Sequence, residues 1–165
     1  ERLRGWLIEG GFRHDFVDAV LAVKRLDVVD VVARLETLRR LAAEPLWRKL
    51  CETVERTRKI AKGEEVSGEV EVALLVEAEE RRLYERFEAA KAQFEQLVAE
   101  GKYYEASHIY YGALSEAVHE FFDKVYVNVE DKALRANRLR LCIAVHRLYA
   151  QNIADLSRIV FAGGE

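Results

Sequence analysis

The scarcity of chain breakers is the sequence feature that most limits the fold. Pro45 is the only proline among 165 residues, and long stretches repeat apolar residues at three- and four-residue spacing. That spacing puts apolar side chains on one face of an α-helix, whereas a half-buried strand needs strict alternation. Alternation occurs in the short run VYVNV at 125–129, without an Asn-Gly hairpin signal beside it. The sequence therefore predicts an all-α fold, a helical bundle of about six helices.

Glycines and capping residues divide this pattern into segments. Asp27 is a candidate N-cap, Pro45 suits a first helical position, and Gly63 suits a C-terminal cap. The run GEEVSGEVE at 63–71 is the most prominent loop. We therefore predict two parts, an N-terminal helical segment at 1–62 and an all-helical domain at 71–165. The predicted helices of the second part span 77–100, 102–122 and 131–161.

Composition narrows the class of protein. The formal net charge of -3 and a pI near 5.9 argue against a chain that coats nucleic acid non-specifically. No run of eighteen apolar residues and no signal-peptide pattern occurs, which predicts a cytoplasmic protein without a membrane partner. Cys51 and Cys142 fall in helical apolar patterns and are expected to be reduced core thiols. The chain has no methionine, even at its start, so we expect a piece of a longer polypeptide.

Positive charge is concentrated near the C-terminus. Between residues 131 and 162 there are six Lys and Arg against two Asp, a local charge of +4. In helical projection, Arg140, Arg147 and Arg158 fall opposite an apolar stripe. The stripe consists of Leu134, Leu141, Val145, Leu148, Leu156 and Ile159. This arrangement predicts a basic face open to a polyanion, and ordinary solubility is its alternative explanation.

Two further arginines occupy different positions in the projection. Arg138 falls beside the apolar stripe, where an unpaired guanidinium is too costly, and Asp123 is the expected partner. Arg135 lies at the edge of the stripe near the helix start, from which it can reach a phosphate or a base edge. We assign structural roles to Asp123, Asp131 and Arg138.

The run FFDKVYVNVEDKALRANRLRL at 121–141 also carries a family resemblance. A long charged helix and a Gly-Lys-Tyr-Tyr-Glu-Ala turn precede it, and ADLSRIV ends the following helix. Together these segments resemble the C-terminal anticodon-binding, DALR-type domain of the bacterial glycyl-tRNA synthetase β subunit. The signature reads Asp131, Lys132 and then Ala-Leu-Arg at 133–135, so a lysine follows the aspartate. The segment 1–62 resembles the helical region that precedes this domain in the same subunit.

The resemblance implies a fragment that binds the anticodon arm of tRNA(Gly), with no catalytic site of its own. Its implied partners are the synthetase α subunit and the rest of the β subunit, and no DNA is expected. ATP and Mg²⁺ are expected on the α subunit, so the fragment needs no cofactor. Unstacked anticodon bases are read by stacking and edge hydrogen bonds while cations hold the backbone. The predicted tRNA-binding residues are Lys124, Tyr126, Asn128, Arg135, Asn137, Arg140, Arg147 and Arg158. For Asn137, a role in helix packing is an equal alternative.

A metal site is not predicted. Glu105 with His108 and Glu116 with His119 have the Glu-x-x-His spacing of di-metal bundles. The two pairs lie on one predicted helix, about 16 Å apart along its axis, and cannot share a bridged metal pair.

Two alternatives to the tRNA(Gly) prediction remain open. One is a helical module that docks onto another protein through its aromatic helix and does not bind RNA. The other is an arginyl-tRNA synthetase-type anticodon domain, which changes the tRNA but not the physics. A second basic cluster, Arg56, Arg58, Lys59 and Lys62, suits either contact with the tRNA stem or simple stabilisation of a helix C-terminus.

Overall fold

The structure, a computed structural model, describes residues 2–24 and 27–162 and confirms the all-α class. Within those residues the regular elements are helices, and no helix has the length and apolar character needed to cross a bilayer. Short 3₁₀ turns occur at Val72–Leu74 and Leu156–Arg158. The α-helices are α1 Arg2–Glu9, α2 His14–Leu21, α3 Val28–Ala42, α4 Trp47–Ala61, α5 Ala78–Ala99, α6 Tyr103–Lys124 and α7 Lys132–Ala150.

Carboxylate side chains cap the N-termini of three of these helices, α3, α5 and α7. Asp27 accepts from the Asp30 backbone N–H at 2.8 Å, and Asp131 accepts from Ala133 and Leu134 at 3.0 and 3.1 Å. Glu77 and Glu80 form a reciprocal capping box at α5. Each carboxylate satisfies backbone N–H groups that the first helical turn leaves unpaired. The expected start of α4 at Pro45 was early, because Pro45 lies in the turn before Trp47.

Helices α5 and α6 form an antiparallel hairpin, and α7 packs against it. Gly101 makes the connecting turn with a φ of 74°, a value that favours glycine. Phe94, Tyr110 and Tyr149 meet at the centre with ring centroids 5.1–6.3 Å apart. The Tyr110 hydroxyl donates to the Val145 carbonyl at 2.9 Å, and Tyr149 shares a 2.8 Å hydrogen bond with Ser107. These aromatic residues are therefore core residues whose polar atoms are satisfied.

Helix α4 packs against both α6 and α7. Thr53 and Ser115 share a buried hydrogen bond of 2.8 Å, and the His146 ring lies 3.1 Å from the Val54 carbonyl. Buried apolar residues from α2, α3 and α4 join those of α5, α6 and α7 in one cluster. The core is thus continuous across 63–70, and the division of the chain into 1–62 and 71–165 stays a prediction.

The last helix ends at Ala150, so the predicted helix 131–161 was too long. The Asn152 side-chain amide donates to the Leu148 carbonyl at 2.7 Å, and the backbone N–H groups of Ile153 and Ala154 converge on the Tyr149 carbonyl. The chain then turns, and the Asp155 N–H donates to the Ala19 carbonyl at 2.9 Å. Apolar periodicity continued past the helix because Leu156 is buried in the following turn.

Residues 64–71, here called the strap, run along α7. The buried Asn137 amide holds the strap at Glu71, accepting from its N–H at 2.7 Å and donating to its carbonyl at 3.0 Å. Arg140 donates to the Ser67 carbonyl at 2.8 Å. Val66 and Val70 are half-buried against the core. The strap is therefore a packed segment and not a free linker.

Replacing Asn137 with alanine should loosen the strap without unfolding the helices. Two hydrogen bonds at Glu71 are lost, and each contributes roughly 0.5–1.5 kcal/mol. Limited proteolysis should then cut within 63–70 faster than in the wild type. Ser67→Ala is the matched control, because the Ser67 contact uses only its carbonyl. Equal cleavage of the wild type and Asn137→Ala would contradict a holding role for Asn137.

Candidate nucleic-acid interface

The strip 125–130 between α6 and α7 presents one aromatic ring to solvent. Val125 and Val127 are buried, whereas Tyr126 between them is 83% exposed. The Tyr126 carbonyl accepts from an Arg138 guanidinium N–H at 2.6 Å. Buried neighbours and this hydrogen bond hold the backbone, so the ring projects from a fixed position.

Arg138 itself forms a buried ion pair with Glu80 and not with Asp123. The Arg138–Glu80 distance is 2.7 Å, and the two side chains are 5% and 0% exposed. Asp123 lies exposed at the end of α6 and makes no ion pair with a described residue. Glu80 is the better partner because the capping box places it in the first turn of α5, beside α7. The expected structural role of Arg138 is thus met through a different carboxylate.

The strap engages two of the predicted arginines. Arg135 pairs with Glu64 and donates to the Asn128 side chain at 3.1 Å. Arg140 bonds Ser67 and lies 3.7 Å from the Glu71 carboxylate. Arg135 and Arg140 are therefore already partly neutralised within the chain.

A groove of about 260 Å³, here called the α4–α7 groove, lies between the end of α4 and the middle of α7. Arg58, Lys62 and Arg147 are exposed at this groove, and none makes an ion pair with a described residue. Glu64 also lines it and connects it, through Arg135 and Asn128, to the strip that carries Tyr126. The lining residues are Thr57, Arg58, Ala61, Lys62, Glu64, Ile143, His146 and Arg147.

His146 lies in the groove with its side chain partly buried, and burial lowers its pKa. Nearby Arg58 and Arg147 also oppose protonation, while the Val54 carbonyl and Asp155 favour it. Burial likewise lowers the pKa of His119, helped by Arg56. At a given pH, both rings are therefore protonated less often than an ordinary histidine.

Stability should fall on mild acidification. The ordinary pKa of histidine is about 6.5, and a lowered folded-state pKa means that the unfolded chain binds protons first. The histidine contribution is full above about pH 6.5 and is lost as the pH falls through the lowered folded-state value. Urea unfolding from about pH 7.5 to about pH 5 measures this loss, and His146→Gln should reduce it. If the free energy of unfolding of His146→Gln depends on pH as it does in the wild type, His146 is not a source of the acid-induced loss of stability.

The remaining predicted site residues are scattered. Lys124 and Asn128 are exposed beside Tyr126. Asn137 is fully buried and bonded to the strap, an arrangement that agrees with its packing alternative and leaves its amide no exposed surface for RNA. Arg158 lies outside α7, in the 3₁₀ turn, where it pairs with Asp155 at 3.2 Å. The predicted common face of Arg140, Arg147 and Arg158 is wrong because α7 ends before Arg158.

The basic cluster at the end of α4 divides between two directions. Arg56 contacts the His119 ring nitrogen at 2.7 Å and stacks on Phe122, so it faces α6. Arg58 and Lys62 face the α4–α7 groove. Their position beside Arg147 was not predicted, although their four-residue spacing at the end of α4 indicated a shared helix face.

Comparison with known proteins identifies a family for this chain. A family model described as the DALR anticodon binding domain matches residues 50–156. A glycine–tRNA ligase beta subunit of Syntrophus aciditrophicus is 35% identical over 159 residues, covering 96% of this chain and 23% of that protein. The beta subunits of Delftia acidovorans and Janthinobacterium sp. are 37% and 38% identical over 161 residues, again covering 96% of this chain and 23% of each protein.

The chain thus spans about a quarter of the length of these curated relatives. The match to the family model includes the groove, the strip and the whole of α5, α6 and α7. Because this match covers more than half of the chain, the chain belongs to the DALR anticodon-binding domain family.

Proposed function

We propose that this chain is the anticodon-binding part of a glycine–tRNA ligase β subunit, and that the α4–α7 groove and Tyr126 bind the anticodon arm of tRNA(Gly). One observation carries the proposal. Three exposed cations that make no ion pair with a described residue line one groove, and Glu64, Arg135 and Asn128 connect that groove to an exposed aromatic ring. Both features lie within residues 50–156, which match the anticodon-binding family.

The two features would divide the work of recognition. Arg58, Lys62 and Arg147 hold phosphates, since exposed cations gain from releasing counterions around RNA. Tyr126 and Lys124 lie at the strip, where an unstacked base can rest on the ring and the ammonium can reach its phosphate. The protein therefore binds single-stranded loop nucleotides through stacking and charge.

The same proposal assigns tRNA binding and aminoacylation to different parts of the whole enzyme. The relatives are named as beta subunits of glycine–tRNA ligase, and this chain corresponds to about a quarter of them. We place ATP, Mg²⁺ and the aminoacylation chemistry on the α subunit, with no cofactor in this part. The rest of the β subunit and the α subunit are its proposed protein partners.

A protein-docking surface is the second candidate function. Trp6, Val28 and Val29 are exposed apolar side chains on α1 and the start of α3, 48–78% accessible to solvent. These side chains are the exposed apolar groups that a protein partner would cover on this part of the chain, although single exposed apolar residues also occur on proteins without such a partner. Such docking is compatible with RNA binding at the groove, and salt dependence separates the two activities.

Arg147→Ala should weaken RNA binding and flatten its salt dependence. The logarithm of affinity falls with the logarithm of salt concentration by about 0.7–0.9 per neutralised phosphate, so losing one contact reduces the slope by about that amount. Fluorescence anisotropy with a tRNA(Gly) anticodon stem-loop at several salt concentrations measures it. Lys102→Ala removes an exposed cation at the opposite end of α6 from the strip and serves as control.

A slope equal to that of the wild type in Arg147→Ala would remove Arg147 from the interface. Binding of the wild-type chain that does not respond to salt would contradict the proposed function itself. Exchange of the anticodon bases in the same assay distinguishes a glycine-type from an arginine-type domain.

A further inference from the structure

The His146 ring has a defined donor and acceptor. Its Nδ1 lies 3.1 Å from the Val54 carbonyl, and a carbonyl oxygen only accepts, so Nδ1 carries the hydrogen. In the neutral ring Nε2 is then an acceptor. That atom makes no hydrogen bond with a described residue. His146 therefore offers an unused acceptor in the α4–α7 groove.

The rest of the groove has the character of a site for one planar heterocycle. Its volume of about 260 Å³ lies below the roughly 300–1,000 Å³ typical of pockets for drug-sized ligands. Ala61 and Ile143 supply apolar walls. The Thr57 hydroxyl is already used, donating within α4 to the Thr53 or Val54 carbonyl. The Glu64 carboxylate is paired with Arg135, so His146 supplies the uncharged acceptor that remains for a ligand among the groove-lining side chains.

The electrostatic setting keeps that acceptor available. Burial and the neighbouring Arg58 and Arg147 guanidinium groups lower the pKa of His146, so the ring is neutral at physiological pH. The Val54 carbonyl and Asp155 favour protonation, but burial outweighs them and the pKa is lowered. The cations Arg58, Lys62 and Arg147 line the same groove as the ring, and their positive charge suits phosphates. An anionic ligand with a polar planar ring matches both properties.

We infer that the α4–α7 groove binds one unstacked nucleobase of an RNA loop, with an N–H of the base edge donating to His146 Nε2. Arg58 and Arg147 contact the flanking phosphates. The four bases carry their N–H donors at different places on their edges, so an acceptor at a fixed position discriminates among them. This inference rests on the proposed function and names His146 as a residue that determines which base is bound.

The test uses RNA hairpins in which each loop base is replaced in turn. Wild-type protein should prefer one base at one loop position by roughly 2- to 12-fold, the effect of a single hydrogen bond. His146→Phe keeps a planar ring but removes the acceptor and should bind all four bases at that position equally. His146→Gln retains a donor for Val54 and an acceptor for the base, and should restore part of the preference. His14→Phe replaces an exposed histidine outside the groove and should behave as the wild type.

A second measurement reads the contact directly. In ¹⁵N spectra of the imidazole, Nδ1 should appear protonated and Nε2 unprotonated, and the preferred hairpin should shift Nε2. This readout does not depend on whether His146→Phe folds normally. A merely structural histidine would show no shift with RNA.

The outcomes separate the two levels of the proposal. Salt-dependent RNA binding with the same base preference in the wild type and His146→Phe, and with no Nε2 shift, overturns the role of His146 alone. Absence of salt-dependent RNA binding overturns the proposed function and this inference together.

Discussion

Replacing Arg138 with methionine is expected to lower the free energy of unfolding by about 3–5 kcal/mol, the usual cost of removing one partner of a buried ion pair. The Glu80 carboxylate would remain fully buried without its cation. The Tyr126 carbonyl would also lose its 2.6 Å hydrogen bond from the same guanidinium. Urea unfolding at neutral pH measures the change.

The matched control is the double variant Glu80→Gln with Arg138→Met. A neutral amide can still accept from the Glu77 backbone N–H, so the capping box is partly kept while the buried charge is removed. We expect the double variant to recover a large share of the loss. A loss below about 1 kcal/mol in Arg138→Met alone would mean that water or rearrangement compensates the Glu80 carboxylate.

Replacing Tyr126 with alanine is expected to weaken binding of a tRNA(Gly) anticodon stem-loop by about 1–3 kcal/mol, the contribution of one base stacked on an aromatic ring. The ring is 83% exposed, so its removal costs the folded state little. Anisotropy titration should show the loss, while urea unfolding of the same variant should match the wild type. Tyr126→Phe keeps the stacking surface and should bind nearly as well as the wild type.

Trp6→Ala is the second control for Tyr126. Trp6 is also an exposed aromatic residue, 59% accessible, but it lies on α1 and not at the strip. Its removal should leave RNA affinity unchanged. Equal losses in both variants would indicate non-specific contact of RNA with any exposed ring, and no loss in Tyr126→Ala would remove the strip from the interface.

The fold was predictable because its signals are local. Helical periodicity, the Asp27 cap and the Gly101 turn each act within a few residues, and all appear in the structure. The end of α7 was not predictable from periodicity, because Leu156 continues the apolar spacing after the helix has stopped. There the decisive contacts are tertiary, such as the bond between the Asp155 N–H and Ala19.

The candidate site was predictable in part for the same reason. Tyr126 follows from strict alternation between two buried valines, and Arg147 from its position opposite the apolar stripe. The partner of Arg138 depends on how α5 packs beside α7, and sequence distance pointed to the nearer Asp123. The position of Arg58 beside Arg147 likewise needs the packing of α4 on α7. Contacts between distant segments thus account for most of the errors.

The strap has a thermodynamic consequence for any anion that approaches Arg135 or Arg140. Glu64 already sits on Arg135, and Glu71 lies 3.7 Å from Arg140, so a phosphate arriving there enters an exchange and not an empty place. The free energy gained is the difference between the arginine–phosphate contact and the arginine–carboxylate contact that it replaces. The carboxylate is tethered to the same chain, so it competes at a constant local concentration. Isolated phosphates are therefore poor competitors at these arginines. A polymer that also occupies the α4–α7 groove brings many phosphates at once and can displace the carboxylates.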